Sequence, residues 1–290
     1  MTKSKVILIT GTSTGIGLET AVQLAEQGHK VYATMRNLEK RTLLDKEAEK
    51  RNTCLNVLQM DVQDDRSVAN CIAELMKNEN RIDVLINNAG AGFIRTMEQA
   101  SMDEIKQVMD VNFYGPIRCS KAVLPIMRQQ KYGHIINISS VGGLVGQPVN
   151  EIYCAAKFAL EGLTESLATY MEPYFGIHVS LIEPGGVITE FGNSLTNYFE
   201  NTGGILNDDY KPLMENYMGY RATFTDEVKE KLFQKPAQIA AVIIKCMNDP
   251  QPKVRYMTSE GVEAFTKVKT SLDPDGEILK TQVRKGVLNK

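Results

Sequence analysis

The 290-residue chain has no tryptophan, only three histidines and five cysteines, no long apolar run and no excess of charge of either sign. Each shortage removes a class of protein. His29, His134 and His178 are far apart in sequence, so no zinc or other metal site is expected. Cys54, Cys71, Cys119, Cys154 and Cys246 are odd in number and show neither CxxC nor Cys/His ligand spacing. They read as reduced thiols of a cytoplasmic protein. No apolar stretch approaches the roughly 18 to 20 residues needed to cross a bilayer. Val6-Ile7-Leu8-Ile9 is too short for a signal-peptide core and runs straight into a Gly-rich turn. With 33 Lys+Arg against 35 Asp+Glu the net charge is -2. That gives no basic field for a phosphate backbone and counts against a nucleic-acid partner.

What is present is an ordinary globular composition, 43% hydrophobic and 23% charged, at a length that α/β folds often use as one unit. Apolar runs at residues 6–10, 30–34, 56–60, 84–87, 134–139, 178–182 and 254–257, most of them near-continuous Val, Ile and Leu, read as strands buried on both faces. Amphipathic stretches at 17–27, 66–78, 102–127, 153–171 and 236–248 lie between them. The alternation predicts a doubly wound, parallel, seven-stranded sheet with right-handed crossovers and helices on both faces.

One stretch breaks the rhythm. Residues 190–235 are rich in Asn, Tyr and Gly, with Asn201-Thr202-Gly203-Gly204 as a turn. An insertion of this length reads as a lid or substrate-binding segment, the alternative being a loop without fixed structure. Its apolar and aromatic residues (Leu195, Tyr198, Phe199, Leu206, Tyr210, Tyr217, Met218) suit a bulky lipophilic substrate or, equally, packing of the lid onto the domain. The tail, residues 270–290, carries Lys280, Arg284, Lys285 and Lys290 without an apolar stretch, and reads as a solvated surface element.

The first chemical signal is Thr10-Gly11-Thr12-Ser13-Thr14-Gly15-Ile16-Gly17, placed after a strand and before a helix. Gly11 permits the sharp turn, Gly15 lets backbone approach a pyrophosphate, and Gly17 permits close helix–strand packing. The helix start offers N–H groups and a partial positive charge to the phosphates. Together with the sheet pattern this predicts one Rossmann-fold domain over residues 1–290. At the end of the second strand, Met35-Arg36 stands where an NAD site usually carries a carboxylate, and none follows until Glu39. Arg36 offers a planar donor fork for a 2′-phosphate, with the Ser13 and Thr14 hydroxyls beside it, so the expected cofactor is NADP(H).

The second signal is Tyr153-Cys154-Ala155-Ala156-Lys157, a phenol and an ammonium one turn apart on a helix face. The preceding strand delivers Ser139 and Ser140 at its C-terminal end, where open α/β sheets bind ligands. Reducing a ketone needs a proton donor near the developing alkoxide, and a lysine cation favours phenolate, bringing Tyr153 toward neutrality as acid or base. Ser140 would hydrogen-bond the carbonyl oxygen. Asn112, in Asp110-Val111-Asn112, could support Lys157 through a water.

TGxxxGIG, Asn87-Asn88-Ala89-Gly90, Asn112, Ser140, Tyr-x-x-x-Lys and Pro184-Gly185, in this order, resemble the short-chain dehydrogenase/reductase superfamily. The likeness covers about the first 190 residues, plus the region 236–257. It implies Ser140, Tyr153 and Lys157 as the catalytic triad, with Asn112 as a fourth member. It also places Ile16 in the cofactor turn, Asn88-Ala89-Gly90 along the adenosine ribose, and Asp61-Val62 at the adenine. Lys157 would bind the nicotinamide ribose. Pro184, Gly185, Val187 and Thr189 would flank the nicotinamide, the Val187 backbone reaching its carboxamide.

The stretches 140–146, 153–163 and Tyr32-Ala33-Thr34-Met35-Arg36 resemble the NADP(H)-preferring branch that contains estradiol 17-beta-dehydrogenase and photoreceptor retinol dehydrogenase. After Thr189 the resemblance fades, and steroid or retinoid specificity does not transfer with it. Gly186 stands where proline is frequent, which implies a looser nicotinamide loop. Enzymes of this kind mostly form homodimers or homotetramers through the helices at 102–127 and 153–171. The expected activity is therefore NADP(H)-dependent interconversion of a ketone or aldehyde and an alcohol, on a small-molecule substrate.

Two other readings stay open. An epimerase or dehydratase of the extended branch would usually carry TGxxGxxG, which residues 10–17 do not. A redox-sensing binding protein would tend to lose the Tyr or the Lys, and both are present.

Overall fold

All five residues of Val6–Thr10 (β1) are buried, as are all of Val84–Asn87 (β4) and Gly133–Ile138 (β5). This is the mark of strands covered on both faces, and it explains why their sequences run apolar without alternation. In the computed structural model, which describes residues 4–222, 225, 233–273, 275–278 and 281, Lys30–Met35 (β2), Asn56–Gln59 (β3), Ile177–Glu183 (β6) and Arg255–Met257 (β7) complete one sheet. The strand order is β3-β2-β1-β4-β5-β6-β7, and every pairing is parallel. Leu8 sits between Tyr32 and Leu85, so the winding reverses at the β1/β4 boundary. That reversal opens a crevice at the C-terminal strand ends. The doubly wound, seven-stranded Rossmann architecture expected from the sequence is present.

Alternate residues of each strand supply two cores. Leu8, Leu85 and Ile135 pack with Asp65–Glu79 (α3), Gly115–Gln130 (α5) and Glu151–Phe175 (α6) through Leu75, Val123 and Ala168. Ile7, Ile86 and Ile136 face Gly15–Glu26 (α1), Thr42–Lys50 (α2) and Pro236–Asn248 (α9) through Leu24, Leu44 and Ile243. Helices α7 (Glu190–Asn201) and α8 (Lys211–Ala222) lie between β6 and α9, and α10 (Glu260–Thr270) follows β7.

Three features depart from the sequence reading. The stretch 102–127, read as one amphipathic segment whose regularity Pro116 and Pro125 limit, is Met102–Met109 (α4), a widened π-helical turn at Asp110–Tyr114, and then α5. Helix α2 was not anticipated; only Leu44 and Ala48 are buried on it, too few to make a visible stripe. The segment after Thr189, read as a lid or substrate-binding segment with an unstructured loop as the alternative, contains helices α7 and α8, a detail the sequence reading did not supply. Of the tail, Lys280, Arg284, Lys285 and Lys290 lie outside the described residues.

Candidate active site

A cleft of about 620 Å³ runs along the C-terminal strand ends, and it is walled by every anticipated site residue except Gly17. Its floor begins at the β1–α1 turn. Gly11 has φ +71, and a Cβ there would stand 2.8 Å from Ala89 Cα. Gly17 faces the turn itself, where a Cβ would lie 2.3 Å from the Gly11 oxygen, so its part is helix–strand packing. The Thr10 hydroxyl accepts from the N–H groups of Asn88 (3.0 Å) and Ala89 (2.9 Å). Asn88 donates its amide to the carbonyls of Thr10 (2.9 Å) and Gly11 (2.8 Å). The Asn88 side chain therefore braces the turn. Thr14 is the N-cap of α1 without a side-chain capping bond, and Ser13, Thr14, Gly15 and Ile16 line the cleft where the free N–H groups of the first helical turn gather.

The far end is lined by Met35, Arg36, Met60, Asp61, Val62 and Gln63. Asp61 takes the N–H of Gln63 (3.0 Å), and Arg118, ion-paired to Asp65 and Asp110, donates to the Val62 carbonyl (3.3 Å). Arg36 is exposed at the rim. Glu39 is outside the wall, its carboxylate taken by the Asn37 amide at 3.3 Å. A glycine-lined turn, a helix start and a cationic rim form a donor set that fits a phosphorylated dinucleotide.

Midway, the strand end after β5 and the face of α6 bring Ser140, Tyr153 and Lys157 to one wall. Ser140 Oγ accepts from Gly142 N at 3.0 Å, which fixes the hydroxyl in place. Lys157, 5% exposed, donates to the Ile138 carbonyl at 2.9 Å, with Nζ 5.7 Å from the centre of the Tyr153 ring. Burial pushes the Tyr153 phenol up to about 12, with the Ser140 hydrogen bond pulling more weakly the other way, and pushes Lys157 down to about 8. The expected lowering of Tyr153 by Lys157 is not what this arrangement gives. Desolvation disfavours phenolate and ammonium alike, and it is the larger effect.

Asn112, fully buried on the widened turn, spends its amide on the backbone. It donates to Ala91 O (2.8 Å) and Val108 O (3.0 Å) and accepts from Ala91 N (3.2 Å). Gly90 lies beside it, and a Cβ there would be 2.9 Å from Asn112 Oδ1 and 3.8 Å from Lys157 Nζ.

A family model described as short chain dehydrogenase matches residues 5–198, which span the phosphate turn and the Ser140, Tyr153 and Lys157 wall. The chain belongs to that family. It is 40% identical over 280 residues to estradiol 17-beta-dehydrogenase 1 of Rattus norvegicus, covering 94% of this chain and 78% of the relative. It is 39% identical over 280 residues to retinol dehydrogenase 8 of Bos taurus, covering 94% and 87%. Among solved structures, a short-chain dehydrogenase from Streptomyces avermitilis superposes with a TM-score of 0.76 at 27% identity, covering 98% of this chain and 99% of that one. The short-chain dehydrogenase described here is an oxidoreductase.

In this dehydrogenase Pro184, Gly185, Val187 and Thr189 close the cleft above Tyr153. Val187 pairs with Gln234 in a parallel bridge made by Gln234 N to Gly186 O (2.9 Å) and Ile188 N to Gln234 O (2.9 Å). That pair of bonds uses neither of Val187's own backbone groups. A Cβ on Gly186 would meet the Phe233 ring at 1.8 Å, so glycine is what lets the loop seat against the returning chain.

The substrate side was only partly legible. Of the seven insertion residues singled out, Leu195 and Tyr198 line the cleft. Phe199, Tyr217 and Met218 pack with Ile94, Val149 and Met214, which holds the lid down, and the Tyr210 hydroxyl bonds Glu98 at 2.7 Å. Phe191, not anticipated, also lines the cleft, its ring centre 6.2 Å from that of Tyr153. Its position two residues after the helix-capping Thr189 was the available signal. Among the described residues no cluster of His, Cys, Asp or Glu could hold a metal ion, and no helix is long and apolar enough to cross a membrane.

Proposed function

We propose that the chain interconverts a ketone or aldehyde and an alcohol with NADP(H), Tyr153 acting as general acid/base, on a lipophilic steroid- or retinoid-like substrate. The observation that carries this reading is the convergence of Ser140, Tyr153 and Lys157 on one cleft that also receives the α1 N-terminus and Arg36.

The dinucleotide, when bound, supplies or accepts hydride at its nicotinamide ring. This chain's residues do the rest. Gly15, Ile16 and the start of α1 hold the pyrophosphate. Arg36, with Ser13 and Thr14, favours a 2′-phosphate, and no competing carboxylate stands at the tip of β2. Asp61 and Val62 flank the base, Ala89 and Gly90 the adjoining ribose. Ser140, its hydroxyl fixed by Gly142 N, orients the carbonyl oxygen. Tyr153 keeps its proton across the neutral range, because burial raises its pKa, and so stands ready to donate it to the developing alkoxide. Lys157, still largely an ammonium at neutral pH, offers its charge to the nicotinamide ribose and to the phenolate formed as the proton leaves. Asn112 holds the Ala91 backbone that borders the site.

Phe191, Leu195 and Tyr198 give the substrate end an apolar lining, and the curated relatives bear the names of a steroid and a retinol dehydrogenase. The unpaired state of all five cysteines, four of them buried, supports a cytoplasmic setting. Exposed Tyr114, Phe158 and Tyr174, on or beside α5 and α6, support assembly as a homodimer or homotetramer through those helices.

Tyr153→Phe tests the mechanism. It is expected to bind NADPH as the unmodified protein does while carbonyl reduction, followed at 340 nm, falls roughly a hundredfold to ten-thousandfold. Undiminished reduction by that variant would sink the role given to Tyr153.

A further inference from the structure

Behind the catalytic wall lies a group of charges that the mechanism leaves unused. Glu161, 5% exposed, is one helical turn beyond Lys157 on α6, and Glu183, 0% exposed, ends β6 immediately before Pro184. Arg255 on β7 reaches both, with Nε 3.5 Å from Glu161 Oε2 and 3.3 Å from Glu183 Oε1, and its other edge pairs with Glu165. Only the Glu161 contact has hydrogen-bond geometry; both oxygens of Glu183 lack a hydrogen-bond partner, and Glu161 Oε1 has the Ser139 hydroxyl as its nearest donor. Three carboxyl groups thus face one guanidinium. Two buried carboxylates that share one guanidinium, one of them without any hydrogen-bond donor, are strongly unfavourable, and a proton on one of them supplies both the missing donor and the missing neutralisation.

The surroundings are accounted for element by element. From α6 the facing groups are Lys157, whose charge interacts with Glu161, and the half-exposed Glu165. From the end of β5 it is the Ser139 hydroxyl. From β7 it is Arg255, whose backbone N–H goes to Asp275 O, with Lys253, Asp275 and Glu277 on its far side. Burial raises both carboxyls, Glu183 the further because the Glu161 charge adds to it.

The pair also sits at a mechanical junction. Ser139 N donates to Ile182 O (2.8 Å) and Val141 N to Pro184 O (2.9 Å), so the turn carrying Ser140 is laced to the residues on either side of Glu183. Ser139 Oγ and Glu161 Oε1 converge on the open face of Gly143, 2.7 and 3.0 Å from where a Cβ would stand. We propose that Glu161 and Glu183 share a single proton, and that this carboxyl pair is a positioning device joining the Ser140 turn to the Pro184–Gly185 turn across the active site. The shared proton stands on the cluster alone, whereas its consequence for turnover rests on the reading of Ser140 and Tyr153 above.

The sign of the linkage is fixed by the raised pKa values. Stability from the shared proton is complete below the ordinary carboxyl pKa and is lost as pH rises through the folded value. In the full-length protein the melting temperature should therefore fall by about 5 °C as pH rises from the ordinary carboxyl range through the raised folded value. Glu183→Gln keeps a donor without the charge. It should flatten that slope while holding NADPH binding, read by fluorescence, and kcat within about threefold of the unmodified protein. Glu183→Ala should lower kcat by about tenfold or more at neutral pH. Glu161→Gln offers the same comparison if the alanine variant fails to fold. An unflattened melting slope in both glutamine variants would overturn the shared proton. Unchanged kcat in Glu183→Ala, or glutamine variants as impaired as alanine, would overturn positioning. An active Tyr153→Phe enzyme would instead count against the proposed mechanism and leave the melting result standing.

Discussion

The two sides of the cleft are built differently. The proposed dinucleotide side, from Gly11 to Val187, is mostly backbone held in fixed conformations: a glycine turn with φ +71, the Asn88 amide bracing it from beyond β4, the Thr10 hydroxyl of β1 receiving the Ala89 N–H, and a loop end paired to Gln234. The proposed substrate side, from Phe191 to Tyr198, is side chains on a helix packed against Ile94 and Val149 of the domain and Met214 of α8. A backbone site tolerates almost no change, because a displaced peptide has no rotamer to escape into. A side-chain site can be recut one residue at a time. The contrast offers a physical reason why proteins that share this fold can act on dissimilar substrates.

If the contrast holds, the largest effect belongs to Gly11→Ala. It combines a left-handed backbone with a 2.8 Å approach to Ala89. Dinucleotide affinity measured by fluorescence titration should fall by roughly a hundredfold, and near-normal affinity would break the comparison. Arg36→Ala comes next, with NADPH weakened about tenfold to a hundredfold and NADH hardly changed. Equal losses for both would remove Arg36 from the 2′-phosphate. The smallest effect is Phe191→Ala, for which kcat/KM for a bulky apolar ketone should drop about tenfold while the KM for NADPH stays constant. A shift in the cofactor KM would mean that the two sides are not separable.

Legibility in the sequence follows the same division. Strands buried on both faces announce themselves as Val, Ile and Leu runs, and the phosphate turn is short, local and ordered along the chain, so both were readable. Helix α2 was not, since two buried residues make no periodic stripe. The division of 102–127 by a π-helical turn was hidden because a widened turn leaves the apolar spacing nearly intact. Phe191 and Phe199 look alike in sequence, yet one lines the cleft and the other is packed beneath the lid, a distinction that only tertiary placement makes. The direction of the Tyr153 shift was missed for a related reason: the lysine one turn away is visible in the sequence, whereas the desolvation that outweighs it is not.

The bridge between Val187 and Gln234 has a consequence for chain entropy. The two ends of the substrate segment are fastened to each other at its base, with the Phe233 ring stacked into the space that Gly186 leaves open. Closure of the segment is therefore secured where it joins the sheet, independently of what the intervening residues do. Under that arrangement each doubling of the segment's length costs only about 0.6 kcal/mol. The segment can be lengthened, shortened or exchanged as a cassette while the register of β6 and β7 stays where the cofactor side needs it.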